Sequence, residues 1–278
     1  MIEQENIIRL VNVYKSFGSL KVLSGVNLDI RARESLTILG PSGTGKSVVL
    51  KHIVGLLTPD SGEVWFHDQR VDQLNEAGLE PIRIRFGFLF QMGALFDSMT
   101  VFENIAFPLR EHGRYSKADI KQIVADKLAM VGLDGTQGKM PSELSGGMRK
   151  RVALARAIAL DPEVVLYDEP TTGLDPIRSD LINELILKLN EELKVTSIIV
   201  THDMTSAFKV SDRIVMLSNG QIRAQGTPEQ IRTSEDPEVR RFIDGRASEE
   251  DLRALKRIRE DHTLAENSEA TYESLEQP

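Results

Sequence analysis

Eight residues, Gly40-Pro41-Ser42-Gly43-Thr44-Gly45-Lys46-Ser47, set the chemistry that this chain can support. They fit the spacing G-x-x-x-x-G-K-[ST]. Glycines at such positions let backbone N–H groups turn inward and cradle phosphate oxygens. A helix starting at the end of the loop adds the positive end of its dipole. Lys46 supplies a point charge for β- and γ-phosphates, and the Ser47 hydroxyl can ligate Mg²⁺. Further along, the apolar run Val164-Val165-Leu166-Tyr167 ends at Asp168 and Glu169. A carboxylate at the end of such a strand can reach the metal ion, and its neighbour can orient or deprotonate an attacking water. Gln91 follows the run FGFLF, and His202 follows SIIVT. Gln91 can reach the metal and the water, and His202 can donate to a terminal phosphate.

Such residues act only if the fold delivers them to one place. A phosphate loop needs a strand before it and a helix after it. Ser35–Leu39 reads as the strand, and VVLKHIVGLL has helical spacing. Residues 7–39 alternate short apolar runs with turn residues and predict several strands, and 61–90 is strand-like again. Residues 98–160 are mostly helical, with Ser116 as an N-cap. EVVLYDEP (163–170) and VTSIIVTHD (195–203) each end an apolar run at a polar residue, the pattern of buried parallel strands presenting chemistry at their C-terminal ends. IVMLSNGQIRAQG (214–226) predicts a hairpin turning at Asn219-Gly220. Ser248 with Asp251 predicts the cap of a helix over about 248–261, with Leu252, Leu255 and Ile258 on one side, and disorder is expected beyond it. There is one phosphate-loop motif and no internal repeat.

Bulk composition narrows the function classes. The 278 residues suffice for a substantial core. The formal charge of -8 gives no polyanion-binding surface overall, so no nucleic-acid partner is expected. Cysteine is absent, which excludes disulfides, thiolate metal sites and cysteine nucleophiles. The start, MIEQENIIRL, lacks the basic and apolar regions of a signal peptide, and no run approaches the ~18 apolar residues of a spanning helix. Work at a membrane would therefore go through a partner. The run Arg149-Lys150-Arg151 has no interleaved aromatics and reads as a solvated helix face.

The ordered motifs resemble those of ABC transporter ATPases over about residues 7–240. The set is the Walker A loop 40–47, Gln91, the signature LSGGM at 144–148, the Walker B strand 164–168, Glu169, Gly173-Leu174-Asp175 and His202. The resemblance implies an α/β P-loop NTPase core with an N-terminal antiparallel β subdomain and an inserted helical subdomain at about 92–160. The ATPase domain would cover 1–245 and a C-terminal extension 246–278. It further implies a dimer that sandwiches two ATP molecules with Mg²⁺, each bound by one subunit's loop and the other's Ser145, Gly146 and Gly147, with Asp175 nearby. Phe17 stands where the family's adenine-stacking aromatic is found, with Tyr14 as the competitor. The permease would be met through the helical subdomain.

Met148 stands where the signature usually has Gln. Together with FLFQMGALFDSMTVFENIAFPLRE (88–111), LSGGMRKR resembles the ATPase of Mla-type phospholipid transporters, which work with MCE-type lipid-binding proteins. That resemblance implies a peripheral protein on the cytoplasmic face of the inner membrane, held there by permease subunits, with STAS-type regulators in some relatives. Drift at a permissive position is the competing explanation of Met148. Leu95, Phe96, Met99 and Phe102 either line a groove for a permease coupling helix or pack the helical subdomain. The 248–261 helix either simply ends the chain or packs across the dimer. Other hydrophobic cargoes, such as lipoprotein, sterol or organic solvent, remain alternatives. A DNA-repair relative would need a coiled coil between Gln91 and Leu144, where there is no room, and ribosome-associated relatives carry two cassettes.

Overall fold

The computed structural model describes residues 5–112, 115–247 and 253. The N-terminal half contains β1 (Asn6–Phe17), β2 (Leu20–Arg31), β3 (Ser35–Leu39), α1 (Lys46–Ile53), β4 (Ser61–Phe66), β5 (Gln69–Arg70), α2 (Glu76–Arg83) and β6 (Phe86–Leu89). There follow α3 (Val101–Glu111), α4 (Lys117–Met130), α5 (Gly146–Ala157), β7 (Val164–Asp168), α6 (Pro176–Leu193), β8 (Thr196–Thr201), α7 (Met204–Val210), β9 (Arg213–Ser218), β10 (Gln221–Gly226), α8 (Pro228–Arg232) and α9 (Pro237–Ile243).

Two sheets organise the chain. The first, ordered β2-β1-β4-β5, is antiparallel throughout and forms the expected N-terminal β subdomain. The second is ordered β10-β9-β3-β8-β7-β6 and is parallel from β9 to β6. Only β10 runs antiparallel, joined to β9 by the predicted turn at Asn219-Gly220, where both residues have positive φ. This is the α/β core, with its N-terminal antiparallel sheet, that the resemblance implies.

Strand alternation sorts the buried residues into two cores. Val165 and Tyr167 of β7 and Ile199 of β8 face a core shared with α3, α4, α5 and α6. Val164 and Leu166 of β7, with Ile198 and Val200 of β8, face a second core shared with α1 and the antiparallel sheet. Each fully buried aliphatic side chain contributes about 1.5–3 kcal/mol, so a one-residue slip of either strand would exchange its two faces at large cost. The strand ends, and with them Asp168 and Thr201, are thereby locked in register.

The inserted helical subdomain is α3 and α4, packed against α5. Val101, Ile105 and Leu109 recur at i, i+4 and i+8 on α3, and Ile120, Val124 and Leu128 do the same on α4. Both helices start at capping boxes, Thr100 with Glu103 and the predicted Ser116 with Asp119. One detail departs from the sequence reading: residues 61–90, expected to be strand-like, include α2, nucleated where the Asn75 side chain accepts the Gly78 N–H. α5 starts at Gly146, with Ser145 as the N-cap that accepts the Met148 N–H.

The chain forms two compact units, Met1–Thr233 and Ser234–Pro278. In the second unit α9 is started by Pro237, and the Asp236 carboxylate accepts the N–H groups of Glu238 and Val239. The expected 248–261 helix lies outside the described residues apart from Arg253. No helix among the described residues is long and apolar enough to cross a membrane.

Candidate active site

The site is assembled at the C-terminal edge of the parallel sheet. β3 ends at Leu39, and the chain turns at Gly40 through the loop into α1. No other residue fits at Gly40: a Cβ there would meet the Leu217 carbonyl oxygen at 2.2 Å. Gly45 is the N-cap of α1 with φ 97°, a left-handed conformation, and a Cβ would press on Val22 and Leu23 at 2.9 Å. No side chain caps α1 at this end, so the N–H groups of its first turn are left for an anion.

Lys46 is buried, and its Nζ donates to the Gly40 carbonyl at 2.8 Å and the Pro41 carbonyl at 2.9 Å. The same Nζ lies 4.0 Å from Glu169 Oε1. Burial pulls its pKa below the usual lysine range, and the charges of Glu169 and Asp168 oppose the shift. Ser47 Oγ donates to Asp168 Oδ1 at 2.8 Å, joining the start of α1 to the end of β7. Desolvation raises the Asp168 pKa against the Ser47 hydrogen bond.

The residue set fits a nucleotide and a divalent cation. A hydroxyl and a carboxylate already in contact are the hard oxygen donors Mg²⁺ prefers, and no group of three His, Asp or Glu that could hold a metal alone occurs among the described residues. Mg²⁺ usually takes one or two protein ligands and completes its shell with phosphate and water.

Glu169 has φ 51°, uncommon for a residue with a side chain. Its N–H donates to the Val200 carbonyl at 2.8 Å, and its carbonyl accepts from Lys150 Nζ at 3.1 Å. Thr172 Oγ1 (3.0 Å) and Thr201 Oγ1 (3.4 Å) donate to one carboxylate oxygen, and His202 Nδ1 lies 3.0 Å from the other. An ionised carboxylate only accepts, so Nδ1 holds its proton and Nε2 faces away from the pair. Asp203, the N-cap of α7, fixes the turn behind His202 by accepting from Thr171 Oγ1 and Ser206 Oγ.

The structure therefore brings together two hydrogen-bonded pairs, Ser47 with Asp168 and Glu169 with His202, with Lys46 4.0 Å from Glu169. Gln91 sits on the same sheet edge, two residues beyond Leu89, which pairs with Tyr167. It is exposed, and among the described residues no hydrogen bond joins it to Ser47 or Asp168. Phe17 is 47% exposed and pairs with Leu20 at the tip of the β1–β2 hairpin, whose Val22 and Leu23 lie against Gly45. The competing Tyr14 turns its ring over Gly25 instead. Ser145, Gly146 and Gly147 stand at the N-terminus of α5 beside Leu174 and Arg178, with no bond to the Lys46 cluster among the described residues. Asp175 caps α6 by accepting the Arg178 N–H at 3.0 Å.

The Arg149-Lys150-Arg151 run is not one solvated face: Arg149 is exposed, but Arg151 is half-buried and Lys150 is buried. Lys150 is 6% exposed and points at the β7 end, where burial lowers its pKa to about 8 against the attraction of Glu169 and Asp168. Arg149 and Arg151 donate to the carbonyls of Leu144 and of Val131 and Gly132. Successive helical residues point about 100° apart, so three adjacent cations cannot share one face. Sequence reasoning also missed Asn104 and Arg156. Buried Asn104 accepts from the Phe96 N–H and donates to the carbonyls of Phe96, Met99 and Thr100. Arg156 donates to Gly93 and Ala94. Together they pin the segment that follows Gln91. A polar residue inside an apolar helix face was the available signal for Asn104.

An apolar groove of about 440 Å³ lies between β6, α3 and the end of α5, lined by Phe88, Phe90, Phe96, Phe107 and Leu160 among others. Phe96 belongs to it. Leu95, ahead of α3, and Phe102, on its first turn, are instead partly buried against the core of the helical subdomain.

The ABC transporter family model matches residues 23–172. The chain belongs to this family. Curated ABC relatives extend the match. A probable ribonucleotide transport ATP-binding protein of Mycobacterium leprae is 46% identical over 239 residues, 86% of this chain and 69% of the relative. The intermembrane phospholipid transport system ATP-binding protein MlaF of Haemophilus influenzae is 44% identical over 241 residues, 87% of this chain and 91% of the relative. Among solved structures, the dimeric ABC transporter cassette MJ0796 is similar with a TM-score of 0.74 and 35% identity, over 80% of this chain and 98% of that one. The chain is an ATP-hydrolysing ABC transporter subunit that uses ATP and Mg²⁺, of a kind that pairs with a second ATPase subunit and associates with a permease.

Within the ABC signature, Met148 contributes its backbone N–H to the Ser145 cap, while its half-buried side chain packs on the helical core. Met148→Gln is therefore expected to leave ATP turnover within about twofold, the scale of a substitution that removes no bonded group. A change of orders of magnitude would show that the side chain takes part in hydrolysis.

Proposed function

We propose that this chain powers phospholipid movement between membranes, as a pair of ATPase subunits held to the cytoplasmic face of an inner membrane by permease subunits. The observation that carries the engine is the two hydrogen-bonded pairs Ser47–Asp168 and Glu169–His202, with Lys46 beside Glu169. In this reading the N–H groups of Gly40–Ser47 and Lys46 bind the β- and γ-phosphates, and Phe17 stacks on the adenine. Ser47, Asp168 and Gln91 hold Mg²⁺, which when bound neutralises charge on the phosphate oxygens. Glu169 accepts the proton of a water attacking the γ-phosphorus, the bond to the bridging oxygen breaks, and ADP and phosphate leave. His202, with Nδ1 given to Glu169, presents Nε2 to the γ-phosphate. Ser145, Gly146 and Gly147 close over the partner copy's γ-phosphate, with Asp175 between the sites, so hydrolysis waits for pairing.

The aromatic groove supports permease docking through the helical subdomain. The Phe96 ring lies tilted at 51° to that of Phe107, 4.8 Å between centroids, and takes the Arg156 guanidinium at 5.8 Å. Phe96→Ala is expected to abolish co-purification with the permease while isolated ATP turnover stays within about twofold. An intact complex would remove the groove from this role.

The phospholipid cargo is supported by the near end-to-end match with MlaF, 91% of that relative, against 69% of the ribonucleotide transport relative. An MCE-type lipid-binding protein would then complete the complex, and a STAS-type regulator can accompany it. Purification of the Glu169→Gln chain from detergent-solubilised membranes tests the cargo through its companions. A permease with an MCE-type protein supports phospholipid transport. A permease with a different substrate-binding protein leaves the ATPase and removes the lipid.

A further inference from the structure

In the reading above, Ser145–Gly147 and Glu169 of one chain serve different nucleotides. The signature closes on the partner copy's ATP, whereas Glu169 acts on the ATP held by its own Lys46. One side chain joins the two. Lys150 lies three and four residues after Gly147 and Gly146, on the same face of α5. It is buried, and its Nζ donates to the Glu169 carbonyl oxygen at 3.1 Å.

That carbonyl is an informative place for a bond. Glu169 holds a left-handed φ of 51° immediately after β7, while its N–H remains bound to Val200 of β8. A residue with a side chain keeps such a backbone only where its surroundings over-determine it. The sheet fixes the N–H side of the residue, and α5 fixes the carbonyl side through Lys150. The peptide direction at Glu169 sets where its carboxylate points, so a shift of the α5 N-terminus is passed to the group that handles water.

We propose that Lys150 is a positioning residue that couples the two composite ATP sites: engagement of the signature by the partner's nucleotide aligns Glu169 over its own. The proposal rests on the shared-site reading of the proposed function. It gives the coupling a physical connection, two packed elements joined by one buried hydrogen bond, rather than mere proximity.

The test uses the full chain, with Lys150→Met, which keeps the alkyl stem and removes the donor, and Lys150→Arg, which keeps a charged donor. ATP turnover is measured against ATP concentration, and ATP-driven pairing by light scattering in the Glu169→Gln background. Lys150→Met is expected to lower kcat about 10- to 100-fold, the cost of misaligning a reacting group, with KM within about twofold and pairing retained. The native chain is expected to show a Hill coefficient for ATP above 1, and Lys150→Met to bring it to about 1. Lys150→Arg is expected to recover kcat to within about threefold, because Arg retains N–H donors and charge. If Lys150→Met fails to fold by thermal melting, Lys150→Arg decides alone: near-native kcat and cooperativity support the proposal, and a folded, ATP-binding but inactive Arg variant overturns it. Unchanged kcat and cooperativity in Lys150→Met overturn it, as does a native chain without cooperativity, or equal loss of ATP binding and turnover, which marks a purely structural lysine. Native hydrolysis by Glu169→Gln would refute the shared-site reading itself. A silent Lys150→Met beside an inactive Glu169→Gln refutes only the coupling.

Discussion

Glu169→Gln is expected to slow ATP hydrolysis by about 10³-fold, ~4 kcal/mol in the barrier, while ATP binding and ATP-driven pairing survive. The substitution is nearly isosteric and can keep the local bonds. The amide oxygen still accepts from His202 Nδ1, and the amide NH₂ can donate to the hydroxyl oxygens of Thr172 and Thr201. What it cannot do is take a proton from water. Removing a negative charge 4.0 Å from Lys46 also frees that ammonium for phosphate, so affinity for ATP should hold or rise. Phosphate release at saturating ATP, alongside equilibrium nucleotide binding, checks both halves. Turnover within tenfold of the native chain would mean that the water is activated elsewhere.

Lys46→Met is expected to reduce hydrolysis by about 10²- to 10³-fold and, unlike Glu169→Gln, to weaken ATP binding as well. The methionine stem fills the buried channel, so the loop should keep its shape. The lost ammonium leaves the Gly40 and Pro41 carbonyls without their donor and removes a positive charge 4.0 Å from Glu169 that also attracts Asp168. An incoming triphosphate then meets two carboxylates with less opposing charge. Equilibrium binding of ATP separates this variant from Glu169→Gln. Native affinity in Lys46→Met would assign phosphate binding to the backbone N–H groups alone.

The parts of this site that local sequence revealed are those whose signals are local. The Walker A loop, the strand before it and the helix after it lie within about twenty consecutive residues, and β7 and β8 announce themselves as apolar runs ending in Asp168 and His202. Ser116, Ser145 and the Asn219-Gly220 turn are likewise set by neighbours in sequence. Lys150 was misread because its environment is made by residues far away: Asp168 and Glu169, brought to α5 by the sheet, turn a surface-like cation inward. The groove was only partly legible for the same reason. Phe96 and Phe88 are eight residues apart and meet Leu160 only through the packing of α3 and α5 on β6. The antiparallel pairing of β1 with β4, and the buried ion pair of Glu34 with Arg213, join distant positions that no spacing rule links.

The central claim is that each ATP site is built from two copies, Lys46 from one and Ser145 from the other. Mixing two inactive variants tests it most directly: Lys46→Met, which spoils the loop, and Ser145→Arg, which spoils the signature. In a mixed dimer one site receives both lesions and the other receives none. With random pairing half the dimers are mixed and half their sites are intact, so the mixture should recover at most about a quarter of native turnover, lowered by the loss of the Lys150 link in the surviving site, and still exceed what its separate components give. Turnover of the mixture no greater than the sum of its separate components would contradict the shared site and place the whole reaction within one chain.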